Sequence, residues 1–130
     1  MKIAIIGAGN MGNAIVCGLG SSSIRSELEI CCADLATEKL SQIKAAYASI
    51  HVTTDNREAV KEAAVVIIAV EPKYVEAVIK EIKESLDYKY QMIVSIGTLF
   101  EIIIQRMFLI RKLTTTMVAF PISMSAERTQ

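Results

Sequence analysis

The opening segment constrains this chain more than any other. A short apolar run, Lys2–Ile6, stops at the loop Gly7-Ala8-Gly9-Asn10-Met11-Gly12 and passes into a helix-compatible stretch, Asn13–Leu19. The run does not alternate polar with apolar, so it reads as a strand buried on both faces, which calls for a parallel sheet covered on both sides. Ala14, Ile15 and Gly18 are the expected packing positions of the helix. Each glycine has a physical reason: Gly7 allows the tight turn out of the strand, Gly9 lets a ligand approach the backbone, and Gly12 lets the helix pack closely on the sheet. The unpaired amides and positive dipole end of such a helix suit a phosphate group.

The rest of the chain repeats the same rhythm. Leu28–Ala33 reads as a second buried strand after the turn Gly20-Ser21-Ser22-Ser23. Thr37 to Tyr47 carries Leu40, Ile43 and Tyr47 at helical spacing. His51–Thr53 is a short strand, and Asp55 is placed to cap a helix through Lys61. Ala64–Val70 is a fourth strand, ended by Glu71-Pro72. Pro72 suits the first turn of a helix running to about Leu86, with Val75, Val78, Ile79 and Ile82 on its apolar face. Met92–Ile96 is a fifth strand, Phe100–Ile110 a helix and Leu113–Phe120 a sixth strand; no pattern follows Pro121. Strands alternating with helices predict an α/β fold: a Rossmann-like, doubly wound parallel sheet in a single domain. Its core spans residues 1–97, and 98–130 completes or flanks the same domain. In that setting the loop reads as the pyrophosphate site of a dinucleotide.

Asp34 strengthens this reading. It ends the second strand, roughly 20 residues past the loop, where a carboxylate accepts hydrogen bonds from the adenosine ribose and repels a 2′-phosphate. The residues that follow, Leu35, Ala36 and Thr37, carry no positive charge, which favours NAD over NADP. Two alternatives stay open: Asp34 as a simple helix cap, and Lys39 as a phosphate contact from the next helix. Glu71 and Ser95 end the fourth and fifth strands at the carboxyl edge, where ligands bind in such sheets. His51, the only histidine, has nothing nearby in sequence to orient it as a base and reads as a surface or packing residue.

Charge and cysteine content narrow the class further. Lysine plus arginine balances aspartate plus glutamate at 14 each, so no basic excess points to nucleic acid or to a membrane surface. No apolar stretch reaches the ~20 residues of a membrane span, and the N-terminus lacks a secretory pattern. The three cysteines, Cys17, Cys31 and Cys32, do not make a disulfide framework or a zinc site, and adjacent Cys31 and Cys32 on one strand point to opposite faces. A cytoplasmic protein with no metal is the expectation.

The segment "MKIAIIGAGNMGNAIVCGL" closely resembles the opening of the pyrroline-5-carboxylate reductase family, with Asn10-Met11 inside the glycine loop as the telling pair. "TTDNREAVKEAAVVIIAVEP" and "QMIVSI" resemble the family's following blocks, so the likeness runs from residue 1 to about 97. It implies hydride transfer from NAD(P)H to the cyclic imino acid 1-pyrroline-5-carboxylate, giving L-proline, in a homo-oligomer. It also implies sites: Gly7, Ala8, Gly9, Asn10, Met11 and Gly12 on the pyrophosphate, Asn56 at the adenosine end, and Ala69, Val70 and Pro72 towards the nicotinamide. No catalytic side chain is implied within this stretch.

The departures from the family pattern are specific. The family usually has Asn and then a basic or polar residue where this chain has Asp34-Leu35. Glu71 replaces a lysine, and Gly97-Thr98 replaces Ala-Ala-Gly. Met117-Val118-Ala119-Phe120 stands where a Met-Pro-Asn-Thr block is expected. The family's C-terminal helical domain, which makes the dimer and binds the substrate carboxylate, does not follow. The readings are a truncated chain, the product of a shortened or frameshifted gene, or a non-catalytic NAD(P)-binding module. Phe100, Ile103, Ile104, Met107 and Phe108 are then expected to expose apolar surface and drive self-association.

Overall fold

The structure, a computed structural model, describes residues 1–87, 89–96 and 117–120. The expected helix over 100–110 and its apolar face lie outside the described residues. Strands β1 (Lys2–Ile6), β2 (Glu29–Ala33), β3 (His51–Thr53), β4 (Val65–Ile68), β5 (Met92–Ile96) and β6 (Met117–Phe120) form one sheet in the order β3-β2-β1-β4-β5-β6. Every neighbouring pair is parallel. Helices α1 (Asn10–Gly20), α2 (Thr37–Ala46), α3 (Asn56–Val60) and α4 (Pro72–Ile82) connect the first five strands in turn. This is the doubly wound arrangement the strand–helix rhythm predicts.

The unbroken apolar strands are explained by a core on each face of the sheet. Ile3, Ile5, Ile30 and Cys32 pack with Val16 of α1 and with Leu40 and Ile43 of α2. Ala4, Ile6, Cys31, Val66, Ile68 and Ile93 pack on the other face with α3 and with Val75, Val78, Ile79 and Ile82 of α4. The i, i+3, i+4, i+7 spacing of those four α4 residues is the stripe that faces a core. Cys31 and Cys32 go to opposite cores, as adjacent strand residues must.

Element boundaries differ where local chemistry was hard to read. Helix α1 begins at Asn10 rather than Asn13, because the second half of the glycine loop is already its first turn. That earlier start shifts its inward face: Gly12 and Val16 are buried, Ile15 is half-buried, and Ala14 and Gly18 are exposed. Helix α4 stops at Ile82 and tightens into a 3-10 turn, Lys83–Ser85. Asp55 caps α3 as expected, its Oδ1 accepting from the Arg57 N–H at 2.9 Å. Gln91, 6% exposed, has no pattern that announces it. Its Nε2 donates to the Val60 carbonyl at 2.7 Å and its Oε1 accepts from the Asp87 N–H at 2.7 Å, tying the end of α3 to the approach of β5.

Burial raises the thiol pKa values of Cys31 and Cys32. Cys32 reaches about 12, with desolvation the largest cause and Asp34 and Cys31 adding to it. A thiol held above its ordinary value of 9.0 favours the folded state at any pH below 9, and that contribution is lost as pH rises through the folded value. The melting temperature is therefore expected to fall between about pH 9 and 12, less steeply in Cys32→Ala. An unchanged slope in that variant would remove Cys32 as the cause. In thiol labelling of the native protein, half-exposed Cys17 reacts first.

Candidate dinucleotide site

The loop after β1 sits between β2 and β4, at the carboxyl ends of the central strands. The Gly7 N–H donates to the Ala33 carbonyl at 2.8 Å, and the Ala69 N–H donates to the Ile6 carbonyl at 2.8 Å. Gly7 has φ +105°, a left-handed conformation that other residues rarely adopt. A Cβ there would lie 2.8 Å from the Ala69 carbonyl oxygen and 3.0 Å from Val70 Cγ1. The turn is thus closed against the exit of β4 with no room for a side chain.

Gly12 is needed for close approach. A Cβ on it would land on the Gly7 carbonyl oxygen, with Ala69 Cβ 3.6 Å away. Its tightest contact is therefore the loop's own first peptide, whereas the sequence pattern suggested the sheet. Gly9 is different: φ is −71°, and a Cβ would meet nothing within 4 Å. No crowding by the protein demands a glycine at that position.

The loop presents a set of amides. The Asn13 N–H is the first to bond back to the turn, reaching the Gly9 carbonyl at 2.8 Å. The N–H groups of Gly9, Asn10, Met11 and Gly12 have no hydrogen-bond partner among the described residues. No acidic residue stands in the first turn of α1 to neutralise its positive end. Asn10 is exposed, Met11 and Gly9 are half-exposed, and Ala8 is buried. Unpaired amides at a helix N-terminus and a glycine without a crowded neighbour together fit a pyrophosphate.

Asp34 follows β2 and is joined to this loop directly. Its Oδ2 accepts from the Ala8 N–H at 2.7 Å and its Oδ1 from the Ala36 N–H at 2.7 Å, while its own N–H donates to the Thr53 carbonyl at 3.2 Å. The residue at the cap of α2 is Ala36, and no side chain caps that helix, so the simple capping alternative for Asp34 does not hold. Nothing in the residue types signalled the Ala8 bond, which depends on how β1 and β2 align.

The remaining expected residues lie around the same edge. Asn56 opens α3 and is half-buried. Ala69 and Val70 line the wall against Gly7, both half-buried. Pro72 is exposed in the first turn of α4. No hydrogen bond links Asn56 or Pro72 to the loop among the described residues. Glu71 is exposed, its carboxylate 3.7 Å from the Lys73 ammonium. Ser95 is buried at 1% exposure, and His51 is exposed on the outer strand β3. A polar hollow lined by Asp55, Arg57, Glu58, Lys61 and Ser85 contains none of the loop residues. Among the described residues no acidic, cysteine and histidine side chains cluster to hold a metal, and no helix is long and apolar enough to cross a membrane.

The family described as "NADP oxidoreductase coenzyme F420-dependent" matches residues 2–98. The chain belongs to this family. Pyrroline-5-carboxylate reductase from Pseudomonas aeruginosa is 36% identical over 96 residues, covering 74% of this chain and 34% of that protein. The reductase from Corynebacterium melassecola is 34% identical over 85 residues, covering 65% and 31%. The solved pyrroline-5-carboxylate reductase of Coxiella burnetii superposes with a TM-score of 0.69 at 30% identity, over 79% of this chain and 38% of that one. An imine reductase from Myxococcus stipitatus in complex with NADP+ also gives 0.69, over 92% and 40%, at an identity of 16% that speaks for the fold alone. The expected likeness to the N-terminal domain of the pyrroline-5-carboxylate reductases is borne out. The chain spans about a third of the length of the curated relatives it matches.

The glycines separate folding from binding. Gly12→Ala forces a methyl into the Gly7 carbonyl, so it is expected to lower the melting temperature and abolish dinucleotide binding together. Gly9→Ala meets open space and is expected to leave the melting temperature of the free protein unchanged while weakening binding. A Gly9→Ala protein that binds as tightly as the parent would show that no ligand approaches that peptide.

Proposed function

We propose that this chain is the cofactor-binding part of an NAD(P)H-dependent reductase of the pyrroline-5-carboxylate reductase type, in which the C=N bond of the cyclic imino acid 1-pyrroline-5-carboxylate is reduced to give L-proline. The observation that carries the reading is the run of unpartnered amides from Gly9 to Gly12, at the N-terminus of a helix inside a sheet of this family's topology. Residues 1–97 form the cofactor-binding core, and 98–130 completes or flanks it.

Each site residue then has a role. Gly7, Ala8, Gly9, Asn10, Met11 and Gly12 shape the pyrophosphate seat. Asp34 takes the ribose hydroxyls with its remaining lone pairs and disfavours a 2′-phosphate, so NADH is preferred. Asn56, at the opening of α3, stands at the adenosine end. Ala69, Val70 and Pro72 border the nicotinamide side, where apolar walls exclude water. The bound dinucleotide supplies the hydride, and the protonated imine is already an electrophile. The main task of the protein is to hold donor and acceptor carbons in register, an effect that accounts for roughly 7–11 kcal/mol in favourable intramolecular reactions.

Calorimetric titration of the chain with NADH and NADPH in parallel tests the site, and NADH oxidation in the presence of pyrroline-5-carboxylate tests the chemistry. The expected result is binding of both cofactors with NADH the tighter. Tighter NADPH binding would overturn the role given to Asp34, and no binding of either would overturn the site. Binding without turnover by the chain alone would favour a cofactor-binding module over a catalyst.

A further inference from the structure

Ala8 is 4% exposed, and a buried amide needs an acceptor. Its acceptor is neither a strand nor a helix carbonyl but the Asp34 carboxylate, at a short 2.7 Å. The other oxygen of that carboxylate is held at 2.7 Å by the Ala36 N–H. Two backbone donors, one on each side, therefore set the Asp34 side chain before any ligand arrives. Each carboxylate oxygen still has accepting capacity left for a ribose hydroxyl.

Besides the Asn13 N–H to Gly9 carbonyl bond, which stays within the loop and its own helix, two backbone bonds tie the turn to other strands: Gly7 N–H to Ala33 and Ala69 N–H to Ile6. Neither reaches past Gly7 towards the phosphate-facing amides. Among the described residues, the Ala8–Asp34 bond is the one that ties that part of the loop to another segment. It also removes the Ala8 N–H from the donors open to a ligand, leaving those of Gly9, Asn10, Met11 and Gly12.

Building on the dinucleotide reading above, we propose that Asp34 is a positioning residue for the phosphate loop as well as a ribose contact, so that choice of cofactor and grip on its phosphates are coupled through one carboxylate. A substitution that opens the ribose pocket to a 2′-phosphate also strips Ala8 of its acceptor and loosens the loop. Replacing Asp34 alone then weakens both cofactors instead of exchanging one for the other.

The test uses the full chain and the variants Asp34→Ala and Asp34→Asn. In the protein without cofactor, the Ala8 amide is expected to be protected from hydrogen exchange, and its proton resonance to lie downfield, as for an amide bonded to a carboxylate. Asp34→Ala should lose both properties and bind NADH and NADPH each roughly tenfold or more weakly, the scale of one charge-assisted hydrogen bond. Asp34→Asn, which retains a neutral acceptor oxygen, should recover part of the protection and a smaller part of the downfield shift. If Asp34→Ala proves too unstable to examine, comparison of the parent protein with Asp34→Asn still decides. Ala8 protection and shift unaffected by the substitutions would overturn the proposal, as would NADPH binding that tightens while only NADH binding weakens. If the parent chain bound neither dinucleotide, the functional reading would fail while the Ala8 measurements would still decide the brace.

Discussion

The site depends on one constraint: the peptide chain must leave β1, turn through a left-handed Gly7, and start a helix almost at once. Gly7 can do so only because the neighbouring strands accept and donate at the right heights. Ala33 of β2 takes the Gly7 N–H, and the Ile6 carbonyl takes the N–H of Ala69 at the exit of β4. The carbonyl of Ala69 then presses on Gly7 closely enough to exclude a side chain. Backbone from three adjacent strands meets at this turn, and the helix start that follows is held with its amides unpaired.

The two-sided core makes that alignment rigid. β1 carries Ile3 and Ile5 to one face and Ala4 and Ile6 to the other, so slipping it by one residue would move every side chain into the wrong core. Burying apolar residues on both faces fixes the register of β1 against β2 and β4. That register sets Asp34 beside Ala8. The buried thiols of Cys31 and Cys32 report the same condition, because their raised pKa values come chiefly from exclusion of water on both sides of β2.

The features that resist reading from sequence are those that rest on bonds between side chains and the backbone of other segments. Asp34 was conspicuous through its spacing from the loop, but its bond to Ala8 was not. Gln91 carries no periodic signal, yet it is buried and bonded at both ends of its amide. The inward face of α1 also departs from its expected position. The loop's Asn10, Met11 and Gly12 are also helical residues, so counting from Asn13 put Ala14 and Gly18 inward when Gly12 and Val16 are the buried pair.

By itself, the sequence determined the order of elements, the parallel two-faced sheet, the glycine loop and the resemblance to the pyrroline-5-carboxylate reductases. Those rest on local periodicity and on residues whose conformational limits travel with them: an apolar run of β-branched residues, a glycine, a proline at a helix start. Only the tertiary structure decided that Gly12 is reserved by the Gly7 carbonyl, that Gly9 is not reserved by the protein at all, and that Asp34 serves the loop instead of capping α2. The physical reason is that Asp34 meets Ala8 only once β1 and β2 have packed, and that the close Gly7–Gly12 approach and the open space at Gly9 depend on a turn held in place by Ala33 and Ala69 of the neighbouring segments.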